Sequence, residues 1–322
     1  MARSGKYQPR PQPEPEDGSG MSRNASRAAR RETARVEMLR AQAAARRRSR
    51  LLAAGGILVA LIVIVGVIVG VGLTRSNHPS SNGTAAASTL LSPQVAKAVT
   101  TIPTTVFDTV GNGGGAVQAK PAAIQGTPLT QDGKPRVLYV GAEYCPYCAA
   151  ERWAVVAALS RFGTFSHLGQ TTSSASDVYP STSTLSFHGA TYTSQYLAFT
   201  GVEQTTNQPQ GSGYAPLDTL SPADQQILDT YDTQKYTGAN DGSIPFIAFG
   251  GKYVSAGASY NPGVLQGLSH QQIGEDLSNP SSPVAKAIVG TANSLTVNLC
   301  SLTGGKPATV CNSAGVRAAA AS

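Results

Sequence analysis

The stretch Arg136-Val-Leu-Tyr-Val-Gly-Ala-Glu-Tyr-Cys-Pro-Tyr-Cys-Ala-Ala-Glu-Arg-Trp153 decides the fold class. Val137 to Val140 is an apolar run of β-branched and aromatic residues, the pattern of a buried strand. From Pro146 to Leu159 the chain is rich in Ala, and Val155, Val156 and Leu159 form an apolar helical face. Cys145 and Cys148 sit between the two, separated by Pro146 and Tyr147. A strand that delivers Cys-x-x-Cys to the first turn of a helix is the sequence form of a dithiol redox site. The position has a chemical reason. Unpaired N–H groups and the positive end of the helix dipole favour a thiolate, which predicts a lowered pKa for Cys145. Pro146 suits the first helical position, where a missing N–H removes nothing. Cys148, one turn on, is set to attack a mixed disulfide formed at Cys145.

Two other readings stand beside this one. Paired cysteines can be half of a zinc site, but zinc usually takes two further ligands from a similar knuckle. The remaining cysteines, Cys300 and Cys311, have ten residues between them, and the only histidines are His78, His167, His188 and His270. An inert structural bridge between Cys145 and Cys148 is geometrically poor outside a redox turn. The expected site therefore holds no metal and no cofactor beyond its own redox-active disulfide, Cys145–Cys148.

Charge separates the N-terminal segment from the rest. Residues 1–50 hold 13 Lys/Arg against 5 Asp/Glu, leaving 12 against 13 for the other 272 residues. Residues 1–20 are rich in Pro, Gly and acids and cannot bury a core. Residues 21–50, with Arg30-Arg31 and Arg46-Arg47-Arg48, have the composition of a basic helix. No aromatics interleave with those charges, which argues against a nucleic-acid-binding arm. From Leu51 to Leu73 there is no charge at all. As a helix this run spans about 34 Å, enough for the hydrocarbon core of a bilayer. The Arg cluster before it faces a single Arg75 after it, so the positive-inside rule predicts a single-pass anchor with its N-terminus cytoplasmic. The C-terminal bulk would then be extracytoplasmic. Residues 74–92, mostly Ser, Asn, Gly and Ala, read as a flexible tether.

In the domain beyond, a short helix is expected near Gln94–Val99. A strand is expected over Thr104–Val110, followed by a break at Gly111–Gly115. Asp132-Gly133 predicts a turn before the central strand. Phe165–Gln170 reads as a strand, Thr171–Asp177 as a polar loop, and Thr184–Phe187 with Thr191–Phe199 as a β-hairpin. Gln204–Pro216 reads as a loop. Ser221-Pro222 starts a helix that runs to about Tyr231. Phe246–Phe249 and Lys252–Val254 form a hairpin across Gly250-Gly251, preceded by Ile244-Pro245. In a dithiol protein the sharper expectation for that bond is cis, leaving the backbone beside the cysteines free to pair with a substrate chain. Short helices follow at 262–268 and 270–277, and a longer one runs from Ser282-Pro283 to about Leu299. Outside the cytoplasm, Cys300 and Cys311 are expected to form a structural disulfide; a second exchange pair is the rival reading. Residues 313–322, mostly Ala, are expected to fray.

Strand, Cys-x-x-Cys at a helix start, then a distant Ile-Pro before a hairpin: this order resembles the thioredoxin-like fold. The expected fold is thus α/β, a central mixed sheet flanked by helices over residues 93–312, with an insertion at roughly 171–240. More closely, Gly141–Trp153 with Ala158-Leu-Ser-Arg-Phe-Gly163 resembles a family of membrane-anchored actinobacterial and archaeal proteins known only as domain-of-unknown-function family 929. The thioredoxin-like resemblance implies that Cys145 attacks, Cys148 resolves and Pro245 is the cis proline. Tyr144, Pro146, Tyr147 and Ile244 would then face the substrate. One departure stands out. Thioredoxins carry a buried carboxylate six residues before the first cysteine, whereas this chain has Tyr139, which is no base near neutral pH. Glu151, three residues past Cys148, offers a replacement proton acceptor, against the alternative of an exposed helix glutamate. The Pro-Tyr dipeptide resembles glutaredoxins. The function implied is thiol–disulfide exchange on exported protein substrates, with a separate redox partner. The alternative is a non-catalytic binding or redox-sensing module.

Overall fold

The computed structural model describes residues 88–322. The basic arm 1–50, the apolar span 51–73 and most of the tether 74–92 lie outside the described residues. Among the described residues no helix is long and apolar enough to cross a membrane.

The chain opens with β1 (Thr89–Leu90), α1 (Pro93–Thr100) and α2 (Thr104–Val110). β1 pairs with a later strand and Leu91 is buried, so the tether's last residues belong to the domain. Thr104–Val110, expected as a strand, is a helix. Val106, Phe107 and Val110 fall on one face at helical spacing and are buried, and that face outweighs β-branched propensity.

β2 (Ala122–Ala123) and β3 (Thr130–Gln131) lead into β4 (Lys134–Gly141) through the expected turn, with Asp132 and Gly133 both at positive φ. Then come α3 (Pro146–Leu159), β5 (Gly163–Ser166), β6 (Gly169–Thr172), β7 (Ser183–Ser186), β8 (Thr191–Ser194) and β9 (Ala198–Glu203). The expected strand over Phe165–Gln170 is divided in two at His167, whose φ is +59°. The expected hairpin over 184–199 does not form. β7 pairs with β6, and β8 pairs with β5. All four β7 residues are buried, and Thr184 donates to the Ala149 carbonyl of α3 at 2.8 Å. Packing against the helix leaves β7 no solvent face of the kind a two-stranded hairpin needs.

β9 settles beside β4, parallel and in register from Arg136↔Ala198 to Gly141↔Glu203. Residues 171–240 are therefore not wholly an insertion, because a strand of the central sheet lies within them. β10 (Thr205–Gln210) and β11 (Gly213–Pro216) form a hairpin where a loop was expected. Its largely exposed faces demand no hydrophobic alternation, so the composition read as loop.

α4 (Pro222–Tyr231), capped by Ser221, and α5 (Gln234–Thr237) precede β12 (Phe246–Phe249) and β13 (Tyr253–Ala256). β12 is antiparallel to both β4 and β13. The central mixed sheet thus runs β2–β13–β12–β4–β9, with β3 folded onto the start of β4. Its two faces follow the strand period of two. Val137, Tyr139, Ile247 and Phe249 join α3 and α7 (Pro283–Leu302) in one core. Leu138, Val140, Phe246, Ala248 and Val254 face the other way, toward α4 and α5. α6 (His270–Asp276), which precedes α7, carries a capping box from Ser269 and Gln272.

After α7 come α8 (Ala308–Cys311) and α9 (Ala314–Ala320). A Cys300–Cys311 disulfide ties α8 to the end of α7. The tail expected to fray is helical: Val316 and Ala319 are buried, and Gly315 donates to Asp108 at 2.8 Å. A Cβ at Gly315 would meet the Phe107 carbonyl oxygen at 2.3 Å, so the close approach requires glycine.

Candidate functional site

β4 ends at Gly141, and four residues later Cys145 occupies the N-cap of α3. Its Sγ accepts the Cys148 backbone N–H at 3.2 Å, one of the donors a helix start leaves unmet. The Cys145 thiol in turn donates to the Ile244 carbonyl at 3.7 Å. That hydrogen bond brings the two distant sequence features together at one sulfur, and the Ile244–Pro245 peptide bond is cis. Both thiols are free and buried, Cys148 more completely than Cys145.

The two sulfurs titrate in opposite directions. Hydrogen bonding from Cys148, working against burial, holds the Cys145 thiol below its ordinary value, and the Arg152 guanidinium helps. Burial pushes the Cys148 thiol well above its ordinary value. The first cysteine is thus the more acidic and the less deeply buried of the two, and the second is sealed and protonated.

Beneath the dithiol lies a polar cluster. Arg152, one turn past Cys148, donates to both carboxylate oxygens of Glu203 at 2.7 and 2.6 Å and to the Ala142 carbonyl at 2.7 Å. Neither side chain of this ion pair reaches solvent. Glu143 is buried nearby and accepts from Ser186 at 2.7 Å; burial raises its pKa. Among the described residues no group of three or more His, Cys, Asp or Glu is arranged to hold a metal ion.

Glu151 is not the exposed helix residue offered as one alternative. It is fully buried, and its carboxylate accepts the backbone N–H and the hydroxyl of Ser259 at 2.8 and 2.9 Å. Burial raises its pKa to about 7 against the pull of those hydrogen bonds. The carboxylate is engaged by Ser259 rather than by either thiol.

Aromatic side chains frame the approach. Tyr144 stacks on Tyr214 of the β10–β11 hairpin at 4.2 Å, and Tyr147 meets Tyr179 edge to face at 6.1 Å. Ser174 ties the stacked pair together, donating its N–H to the Tyr144 carbonyl and accepting the Tyr214 hydroxyl. Pro146 is buried, and Tyr147 is 42% exposed. Sequence reasoning missed Arg152, Glu203, Tyr179 and Tyr214. Arg152 did leave a signal, as the one cation in an Ala-rich helix whose only other charged residue is Glu151. Glu203 left none.

The fold and site define a mixed α/β domain with a free dithiol at a helix start, facing a cis-proline loop. The profile of the family described as domain of unknown function DUF929 matches residues 120–301, and the chain belongs to that family. No curated protein and no solved structure matches it.

Proposed function

We propose that this chain is a thiol–disulfide oxidoreductase of thioredoxin-like fold, tethered to the outer face of the membrane by residues 51–73 and acting on exported proteins. The observation that carries the reading is the Cys145 thiol 3.7 Å from the Ile244 carbonyl, with Cys148 sealed behind it. The sheet supports the fold assignment: β9–β4–β12–β13 has one parallel and two antiparallel pairs, with α3 and α7 on one face. The Cys300–Cys311 bridge suits an oxidising compartment.

In the reaction, the Cys145 thiolate attacks one sulfur of a substrate disulfide. The substrate S–S bond breaks, and the departing sulfur takes the electron pair and a proton. Cys148 then loses its proton and attacks Cys145 Sγ; the mixed disulfide breaks and the second substrate sulfur leaves as a thiol. The substrate gains two electrons, and the protein gives up those two as Cys145 and Cys148 join in a disulfide. A separate dithiol or disulfide partner resets the pair. Run backwards, the same steps oxidise a client. Ile244 and Pro245 would line one side of the substrate chain, with Tyr144, Pro146 and Tyr147 on the other.

Turnover of a model disulfide by the full-length protein tests this, and Cys145→Ala should abolish it. Equal turnover in that variant sinks the mechanism. Cys148→Ser should accumulate mixed disulfides with client proteins in cells; if none form, the domain is a binding module. Protease added to intact cells should remove the C-terminal domain if the tether lies as proposed.

A further inference from the structure

Tyr139 occupies the position where a carboxylate would be expected, and its surroundings give it a different task. The residue is fully buried, and its hydroxyl has no hydrogen-bond partner among the described residues. A buried hydroxyl left unpaired is destabilising, so such a group calls for an explanation. The ring leans along β4 toward the dithiol end. A Cβ on Gly141, two residues nearer the cysteines, would lie 2.6 Å from the Tyr139 hydroxyl and 2.8 Å from its ring. The absence of a side chain at Gly141 is what lets the phenol reach that far.

Its neighbours are those of Cys148. The Arg152 guanidinium stands 6.0 Å over the Tyr139 ring, and Phe187 fixes the ring edge to face at 4.8 Å. Arg152 follows Cys148 by four residues on α3, so both project from the same helical face. The titratable and charged groups around these two residues are Tyr144 and the N-cap Cys145 just before α3, Arg152 on α3 and Glu203 on β9. Burial holds the phenol pKa well above its ordinary value, so at working pH Tyr139 is a donor and not a base.

We propose that the Tyr139 hydroxyl is a positioning donor for the Cys148 sulfur, unpaired while Cys148 is a thiol and engaged when it becomes the resolving thiolate. This rests on the redox reading above and assigns its second step. A hydrogen bond to an ionised sulfur is stronger than one to a neutral thiol, so the interaction favours the attacking form. The proton that Cys148 loses ends on the departing substrate sulfur. Tyr139 keeps its own proton throughout, with Arg152 supplying positive charge alongside.

The test uses the reduced full-length protein, with the Cys300–Cys311 bridge intact, and an aromatic disulfide that releases a coloured thiol. Attack by Cys145 releases the first coloured thiol, and resolution by Cys148 releases the second. Tyr139→Phe should leave the first phase unchanged and slow the second about tenfold, the scale of one hydrogen bond to a charged group. The pH profile of the second phase should move upward, while thermal unfolding stays where it was or rises. A second phase with wild-type rate and pH profile overturns the assignment. Failure of the wild type to release even the first thiol instead refutes the redox reading, and the assignment falls with it.

Discussion

Arg152 of α3 and Glu203 of β9 meet in a bidentate ion pair at 2.7 and 2.6 Å, with both side chains closed to water. The pair joins the helix that carries the cysteines to the strand beside β4. Glu203 also accepts the Phe187 backbone N–H at 3.3 Å. Removing one partner would leave an uncompensated charge in the core. Glu203→Ala should therefore lower unfolding stability by about 3–5 kcal/mol in urea titrations. Replacing both, as Arg152→Met with Glu203→Leu, should recover most of that loss, because an apolar pair of similar size needs no desolvation. A double variant as unstable as the single one would mean that geometry, not unpaired charge, sets the penalty.

How much of this could be read from the sequence differs by element. Val137–Leu159 and Phe246–Val254 carried strong local signals: an apolar run, a proline at a helix start, and a Gly-Gly turn. The structure has a strand, a helix and a hairpin there. The region between them misled, because pairing partners are set by tertiary burial. Thr184–Phe187 alternates polar and apolar residues, yet all four residues of β7 are buried, and alternation alone cannot reveal a strand buried on both faces. Thr104–Val110 failed for the opposite reason, since a short β-branched run satisfies both periods until packing chooses one. At the site, the cysteines and Ile244-Pro245 were legible as motifs. The ion pair was not, because Arg152 and Glu203 are 51 residues apart and no local pattern links them.

Gly141 provides a second test of how β4 presents the site. A methyl group there would overlap the Tyr139 hydroxyl, Cε1 and Cζ at 2.6, 2.8 and 2.9 Å. The ring cannot swing clear, since Phe187 and α3 enclose it. Gly141→Ala should cost about 1–3 kcal/mol by overpacking. Combined with Tyr139→Leu, the two changes should be non-additive by at least ~0.5 kcal/mol, because the shorter side chain vacates the contested space. Strict additivity in a thermal or urea double-mutant cycle would show that the contact is not the cause.

Glu151 gives a pH dependence with a definite sign. Its folded-state pKa of about 7 lies above the ordinary value of 4.5, so the folded protein holds this proton where the unfolded chain has released it. Between those two values the native state binds more protons, and stability must fall as pH rises. The contribution is fully present below pH 4.5, declines through the window and is gone above about 7. Its size is of the order of 3 kcal/mol for a fully buried group. Glu143 and Asp232, also raised by burial, slope the same way, so the total curve does not isolate Glu151. The comparison with Glu151→Gln does. The amide keeps the shape and can still accept the Ser259 N–H, now at 2.8 Å, but cannot ionise. Urea unfolding from pH 5 to 8 should show the stability gap between Glu151→Gln and wild type widening in favour of the variant as pH rises. Parallel curves across that range would mean that Glu151 ionises no differently in the folded and unfolded chains.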